Sequence, residues 1–115
     1  MRFKSLHDIK VWVKAKQLVL VIYSEMSQSK DYGFKDQIQR AAVSTMNNIA
    51  EGSFRESGTE FYRYLEIANS SNIEVKSMLY VAKDLKYLSS EKHKILDGYT
   101  EEIIKMIISL QRTLI

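Results

Sequence analysis

The chain has 115 residues and a formal net charge of +3, which predicts one domain over residues 1–115 and permits a nucleic-acid partner without requiring one. It contains no cysteine, which excludes disulfides, thiolate metal sites and cysteine nucleophiles, and no proline, which favours long helices. The longest apolar run, Leu18–Tyr23, is far shorter than a membrane span, and no signal-peptide pattern opens the sequence, so we expect a cytoplasmic protein without a membrane partner.

The first predicted helix runs from about Asp8 to Ser27, with Asp8 as its N-cap. A polar connector, residues 27–31, follows it. The apolar positions expected to face the core are Ile9, Trp12, Val13, Leu20 and Tyr23, broadened by Val19 and Ile22.

The second predicted helix begins near Phe34 and ends at Gly52, because glycine is a frequent helix stop. At 100° per residue it divides into two arcs. The apolar arc holds Ile38, Ala42, Thr45 and Ile49, and the polar arc holds Gln37, Arg40, Ser44, Asn47, Asn48 and Glu51. Asn and Ser are poor helix formers, so the polar arc indicates a role other than helix stability.

The third predicted helix opens at Ser57, which has capping-box spacing to Glu60, and continues to about Leu88. A fourth follows a cap at Ser89 or Ser90. Both carry heptad-like apolar seams. The seam of the third helix is Phe61, Leu65, Ala68, Asn72, Val75, Leu79 and Ala82, and that of the fourth is Leu96, Thr100, Ile103, Ile107, Leu110 and Leu114.

Four amphipathic helices with short connectors predict an all-α, antiparallel up-and-down four-helix bundle. Two segments are more apolar than one seam requires, residues 19–22 of the first helix and residues 103–108 of the fourth. Wide apolar faces on a small bundle favour burial against another subunit. The alternative is that a four-helix core itself needs wide stripes.

Several motifs resemble the four-helix-bundle proteins first noticed as reading frames in intervening sequences of bacterial 23S rRNA genes. They are found in Leu6–Ala15, Tyr32–Ser44, Asn48–Gly52, Glu60–Ala68 and Ser71–Glu74, and so cover nearly the whole chain in order. The resemblance implies a homopentameric ring of bundles. Related accessory variability proteins of diversity-generating retroelements form basic pentamers that bind nucleic acid and a reverse transcriptase. No biochemical activity is established for the intervening-sequence members themselves.

A polar stripe is predicted to make register or subunit contacts. Its members are Gln37, Arg40, Ser44, Asn48, Glu51, Ser71, Asn72 and Glu74. Arg40 is expected to pair with Glu51 or with a carboxylate of a neighbouring helix such as Glu74. Buried polar groups usually satisfy one another, which favours a structural role, and direct contact with RNA is the alternative.

Basic side chains are the candidate nucleic-acid contacts, because phosphates require only such charges. The set is Lys10, Lys14, Lys16, Arg55, Arg63, Lys83 and Lys86. Interspersed acidic residues leave open an ordinary solvated surface. Aromatic residues near Phe54 and Phe61 could stack on bases, although helical spacing favours packing.

Catalytic motifs are absent from the sequence. His7 and His93 stand alone, and there is no HExxH, phosphate-binding loop or nucleophile elbow, so we expect no enzyme, no metal and no cofactor. The leading hypothesis is a non-enzymatic homo-oligomer that binds RNA or DNA through a basic surface. The alternative is an oligomeric adaptor for a protein partner, with no direct nucleic-acid role.

Overall fold

A computed structural model describes residues 3–115, so residues 1 and 2 of the predicted domain lie outside the described part. Within it the chain is all-α. A short 3-10 helix, Leu6–Asp8, precedes four helices: α1 (Lys10–Met26), α2 (Tyr32–Ser53), α3 (Gly58–Asp84) and α4 (Ser90–Arg112). The molecule measures 43 × 21 × 20 Å. The prediction of an all-α fold with four helices is confirmed.

Each helix packs against its neighbours in the chain, and α1 also packs against α4, which closes the bundle. Hydrogen bonds and ion pairs between helices show that adjacent helices run in opposite directions. The pairs are Lys14–Glu102 and Glu25–Lys92 between α1 and α4, Gln37–Glu74 and Ser44–Ser71 between α2 and α3, and Tyr62–Gln111 and Lys76–Asp97 between α3 and α4.

This topology gives the bundle two distinct ends. The double-connector end holds the connectors of residues 27–31 and 85–89, which Tyr87 and Asp31 join by a hydrogen bond. The terminal end holds residues 3–9, the connector of residues 54–57 and residues 110–115. None of the helices in the described range is long and apolar enough to cross a membrane.

The predicted core positions of α2 and α3 are all buried. In α4 the seam is buried from Leu96 to Ile107, and Leu110 and Leu114 pack partly against the core. Apolar residues at steps of three and four were sufficient to predict these core positions, because each helix has one apolar stripe and is otherwise polar.

The predicted core face of α1 was wrong in part. Ile9 and Ile22 are buried as predicted, and Trp12 and Val19 pack partly against the core. The buried line is Val11, Ala15, Leu18, Ile22 and Met26. Leu20 and Tyr23, which were expected inside, are 59% and 46% exposed. Residues 18–22 are apolar on every side of the helix, so periodicity does not select a face, and simultaneous packing on α2 and α4 does.

The expected N-cap at Asp8 was also wrong. Its carboxylate accepts a hydrogen bond from the Ser5 backbone N–H, within the 3-10 helix, and Ile9 precedes α1 without a side-chain cap. Asp31 caps α2, accepting from the Phe34 N–H, so α2 begins two residues earlier than predicted. Ser57 and Ser89 cap α3 and α4 as expected.

Helix α3 ends at Asp84, four residues before the predicted end. Lys86 adopts a φ of 65°, in the left-handed region. The Tyr87 N–H donates to the Ala82 carbonyl and the Lys86 N–H to the Lys83 carbonyl, the two bonds of a Schellman motif. Glycine is usual at the left-handed position, so lysine there concealed the stop signal.

Candidate functional site

The polar stripe of α2 lies against α3 within one chain. Ser44 and Ser71 share a hydrogen bond of 2.8 Å between their hydroxyl oxygens. One turn later along α2, the Asn48 amide donates to both the carbonyl and the hydroxyl oxygen of Ser44. Three half-buried polar side chains thereby satisfy one another, and this fixes which turns of the two helices lie side by side.

The exposed edge of the stripe differs from the prediction. The Gln37 amide donates to the Glu74 carboxylate at 3.2 Å, across the α2–α3 contact. Arg40 reaches neither Glu51 nor Glu74. Its Nε donates to Asp36, one turn earlier on α2, at 2.8 Å, and the Arg40 side chain is 79% exposed. An i, i+4 partner on the same helix needs no inter-helix reach.

Asn72 lies apart from the rest of the stripe. It is fully buried, and its amide donates to the Thr100 carbonyl of α4 at 3.0 Å. The Asn72 Oδ1 atom has no hydrogen-bond partner among the described residues. Because an unpaired buried oxygen is costly, Asn72 contributes positional specificity to the α3–α4 contact more than stability.

Gly52 was predicted to end α2, and the helix ends one residue later, at Ser53, with Gly52 in its last turn. A Cβ atom at this position would lie 2.6 Å from the Tyr64 Cβ and 2.9 Å from the Phe61 Cδ1. Such distances are far below van der Waals contact, so only glycine allows α2 and α3 to approach this closely. The glycine marks a close helix contact, a signal that the sequence alone does not distinguish from a terminus.

Several of the predicted nucleic-acid contacts are already engaged within the chain. Lys14 forms an ion pair with Glu102 at 2.7 Å and lies over the Tyr99 ring. Lys16 lies over the Trp12 ring.

Arg55 is held in the same way, because it donates to the Tyr64 hydroxyl at 2.6 Å and stacks on that ring. Binding of a phosphate by these cations would break their existing contacts, so it is less favourable than binding by cations that contact only water.

Lys10 lies at the terminal end, on the rim of a cavity of about 410 Å³. Lys105, which no sequence pattern singled out, lines the same cavity. Its walls are mainly Phe3, Ile9, Val11, Met106 and Leu110. Neither lysine forms an ion pair within residues 3–115. A hydrophobic groove flanked by two such lysines suits an apolar group that carries negative charge nearby.

Lys83 and Lys86 lie at the opposite, double-connector end, together with Lys30, and none of the three forms an ion pair within the described range. Tyr32 is 69% exposed there and Tyr87 is 38% exposed. A second cavity of about 440 Å³ opens between the two connectors. Exposed aromatic rings among cations are the features that contact bases and phosphates in single-stranded nucleic acids.

A charge-assisted hydrogen bond joins the two connectors of this end. The Tyr87 hydroxyl donates to Asp31 at 2.6 Å. This bond and the hydrogen bond from the Phe34 N–H hold the pKa of Asp31 below its usual value. The hydrogen bond to Asp31 also raises the pKa of the Tyr87 hydroxyl, which donates it. Both side chains therefore favour the state in which Asp31 is ionised and Tyr87 is protonated.

One further cation is structural. Lys76 of α3 forms ion pairs with Asp97 at 2.7 Å and Glu101 at 2.6 Å, both on α4. Burial is the largest single effect and acts to lower the pKa of Lys76, but the hydrogen bonds to the two carboxylates and their negative charges together hold the pKa above its usual value.

The seven predicted nucleic-acid residues consequently do not form one surface. Lys10, Arg55 and Arg63 belong to the terminal end, and Lys83 and Lys86 belong to the double-connector end of a bundle 43 Å long. Arg63 is exposed near the start of α3. Any single ligand of modest size meets only one of these groups.

The two histidines serve packing. His7 meets the edge of Trp12 with ring centroids 5.2 Å apart. His93 is buried against Tyr80 at 4.5 Å. Across residues 3–115 no group of three His, Cys, Asp or Glu side chains is placed to hold a metal ion.

Comparison with known proteins identifies a matching family model and a similar solved structure. A family model described as 23S rRNA-intervening sequence protein matches residues 7–109. A solved structure from Bacteroides thetaiotaomicron, described as a protein with unknown function from the S23 ribosomal protein family, is similar with a TM-score of 0.82. The two sequences are 25% identical, over 88% of this chain and 97% of that chain. No curated protein matches the chain.

Proposed function

We propose that this chain, which belongs to the 23S rRNA-intervening sequence protein family, is a self-associating helical scaffold that binds RNA or DNA through its double-connector end. The role is one of binding, in the cytoplasm, and not of catalysis. Neither the family name nor the description of the similar Bacteroides structure specifies what is bound.

The nucleic-acid-binding part of the proposal rests on the exposed tyrosines and lysines that lie together at the double-connector end. Lys30, Lys83 and Lys86 have no carboxylate partner within the described range, whereas Lys14 and Lys92 each have one and Lys76 has two. An unpaired lysine gains more from a phosphate because no existing ion pair must be broken. Acidic Asp84 and Glu91 lie nearby, so we expect a Kd of only about 10⁻⁴ to 10⁻⁶ M per chain.

A salt series tests this part. Fluorescence anisotropy of a structured RNA is measured between about 50 and 200 mM salt, and log K is expected to fall with log salt. Removing Lys83 and Lys86 together, as Lys83→Ala with Lys86→Gly, should weaken binding and reduce the slope by about 2. Arg40→Gln is the matched control, since Arg40 is exposed but pairs with Asp36 in the middle of α2. Binding that is absent at low salt, or equally reduced by the control, would contradict the proposal.

The self-association part rests on the family and on apolar side chains left outside the core. Leu20 of α1 and Ile108 of α4, which belong to the segments expected to be wide, are 59% and 39% exposed. The family resemblance implies a pentamer. Light scattering at micromolar concentration should therefore give about five times the 13.4 kDa of one chain. A stable monomer would contradict it.

A protein-partner adaptor is the second candidate, and one observation favours it. Ile67, Ile73 and Val81 of α3 are each about half exposed, which leaves apolar side chains on the outer side of that helix. Pull-down from the native host separates the two candidates. A partner protein that stays bound after nuclease treatment favours the adaptor.

A further inference from the structure

The terminal end carries an apolar groove that no side chain within residues 3–115 fills. The groove lies between the start of α1 and the end of α4, and has a volume of about 410 Å³. Most of its walls are apolar, and Lys10 and Lys105 also line it. Asp8, a further lining residue, accepts a hydrogen bond from the Ser5 backbone N–H. A volume in the range of small-ligand pockets is ample for an aromatic ring.

The same end of the molecule presents an aromatic ring to solvent. Phe54, in the connector between α2 and α3, is 62% exposed. Two carboxylates flank it, Glu51 one turn earlier and Glu56 two residues later, and neither forms an ion pair within residues 3–115. Exposure of a phenyl group to water is unfavourable. A phenyl group between two unpaired carboxylates is complementary to an apolar groove that two unpaired lysines line.

We propose that Phe54 of one copy inserts into the groove of a second copy, with Glu51 and Glu56 facing Lys10 and Lys105. This inference rests on the proposed self-association and names its surfaces. The α2–α3 edge lies opposite the α1–α4 edge in the bundle, so a chain cannot make this contact with itself.

The contact is heterologous, because the donor surface and the acceptor surface are different parts of the chain. Repeated around an axis, such a contact closes into a ring when the rotation allows. Both surfaces lie at the terminal end, so neighbouring copies stand side by side. Their double-connector ends then remain exposed on one side of the assembly, where the proposed nucleic-acid contacts lie.

Disulfide trapping tests the contact, and the absence of native cysteine gives it a clean background. Glu56→Cys is combined with Ser109→Cys, since Ser109 is an exposed residue that lines the groove. Oxidation of the double variant should give a ladder of covalent oligomers, because each copy carries one thiol on each surface. Each single variant, and Tyr32→Cys combined with Ser109→Cys, should give no ladder.

Substitutions test the energetics by light scattering over a dilution series. Phe54→Ala should weaken self-association at least about tenfold, as expected for a central aromatic anchor. Tyr32→Ala, an equally exposed aromatic change at the other end, should leave it unchanged. Lys10→Glu with Lys105→Glu should weaken it comparably, and adding Glu51→Lys with Glu56→Lys should restore it.

The possible failures are distinguishable. A monomeric wild-type chain would contradict the proposed self-association and this contact with it. An oligomeric wild-type chain whose size survives Phe54→Ala, and whose double-cysteine variant forms no ladder, would overturn the contact alone. Circular dichroism of each variant confirms that the helices persist, which is expected since Phe54, Lys10 and Lys105 are exposed.

Discussion

At Gly52 the last turn of α2 passes so close to α3 that a Cβ atom would lie 2.6 Å from the Cβ of Tyr64. Gly52→Ala should therefore lower the free energy of unfolding by about 1–3 kcal/mol, because backbone must move to relieve the overlap. This outcome opposes intrinsic propensity, which favours Ala over Gly in a helix by about 1 kcal/mol. Urea unfolding at fixed protein concentration measures it.

Gly98 provides the matched control for this prediction. It lies exposed in α4, and no packing partner in the described part of the chain comes within 4 Å of where a Cβ atom would lie. Gly98→Ala should raise the free energy of unfolding by up to about 1 kcal/mol through helix propensity alone. If both alanine variants shift the midpoint in the same direction, close approach is not the reason for Gly52.

Lys86 holds a left-handed conformation that costs a non-glycine residue about 1 kcal/mol. Lys86→Gly should relieve this cost and stabilise the chain by about that amount, as measured by thermal or urea unfolding. Lys83→Gly, inside α3, should destabilise it by a similar amount. The same Lys86→Gly change is expected to weaken RNA binding, so loss of affinity cannot be ascribed to unfolding. A destabilised Lys86→Gly variant would refute the strain argument.

At the scale of elements, the hydrogen bond between Tyr87 and Asp31 joins the two connectors of one end. The lowered pKa of Asp31 means that this contribution is present above the ordinary carboxyl pKa of 3.8 and is lost as the pH falls through the lowered value. The raised pKa of Tyr87 means that it is also present below the ordinary value of 10.0 and is lost at higher pH.

Tyr87→Phe should therefore lower the unfolding midpoint near neutral pH, and the difference from wild type should vanish in acid. Paired thermal melts from about pH 2 to 8 measure this. Tyr32→Phe serves as the control, since Tyr32 is exposed and no hydrogen bond of its hydroxyl is found in the described part of the chain. A wild-type to Tyr87→Phe difference that does not shrink as the pH falls below the ordinary carboxyl pKa would contradict the assignment.

The helices differ in how well the sequence predicts them, and the reasons are local. In α3 a single stripe from Phe61 to Ala82 leaves one way to pack. In α1 the apolar residues surround the helix, and only contact with two neighbours selects Leu18 and Ile22 over Leu20. The end of α3 was missed because Lys86 stands where glycine is expected.

The candidate site residues also differ in how well the sequence predicts their contacts. Ser44 and Ser71 were assigned to one polar stripe from their residue types, and their hydroxyl groups contact each other between α2 and α3. Arg40 was expected to pair with distant carboxylates, although Asp36 lies one turn away on the same helix. Which basic residues lie at which end of the bundle depends on the direction of each helix and on burial, and a local sequence pattern gives neither. Lys105 was missed for this reason.

At the scale of the whole molecule, the two ends differ in character. The terminal end combines an apolar groove with an exposed phenylalanine, and the double-connector end combines lysines with exposed tyrosines. Assembly through the first end would display several copies of the second on one side. Weak individual contacts to a polyanion then add within one complex, so the assembly should bind RNA far more tightly than a single chain.

Helices that pack mainly on their neighbours in the chain also have a kinetic consequence. Contacts between α1 and α2, α2 and α3, and α3 and α4 close short loops, whereas the packing of α1 on α4 joins distant parts of the chain. Such chains collapse to their native arrangement within microseconds to milliseconds. Without a prolyl bond, no refolding phase of tens of seconds is expected. Stopped-flow refolding at low protein concentration should therefore show one fast intramolecular phase, and the proposed self-association would add a slower phase whose rate depends on protein concentration.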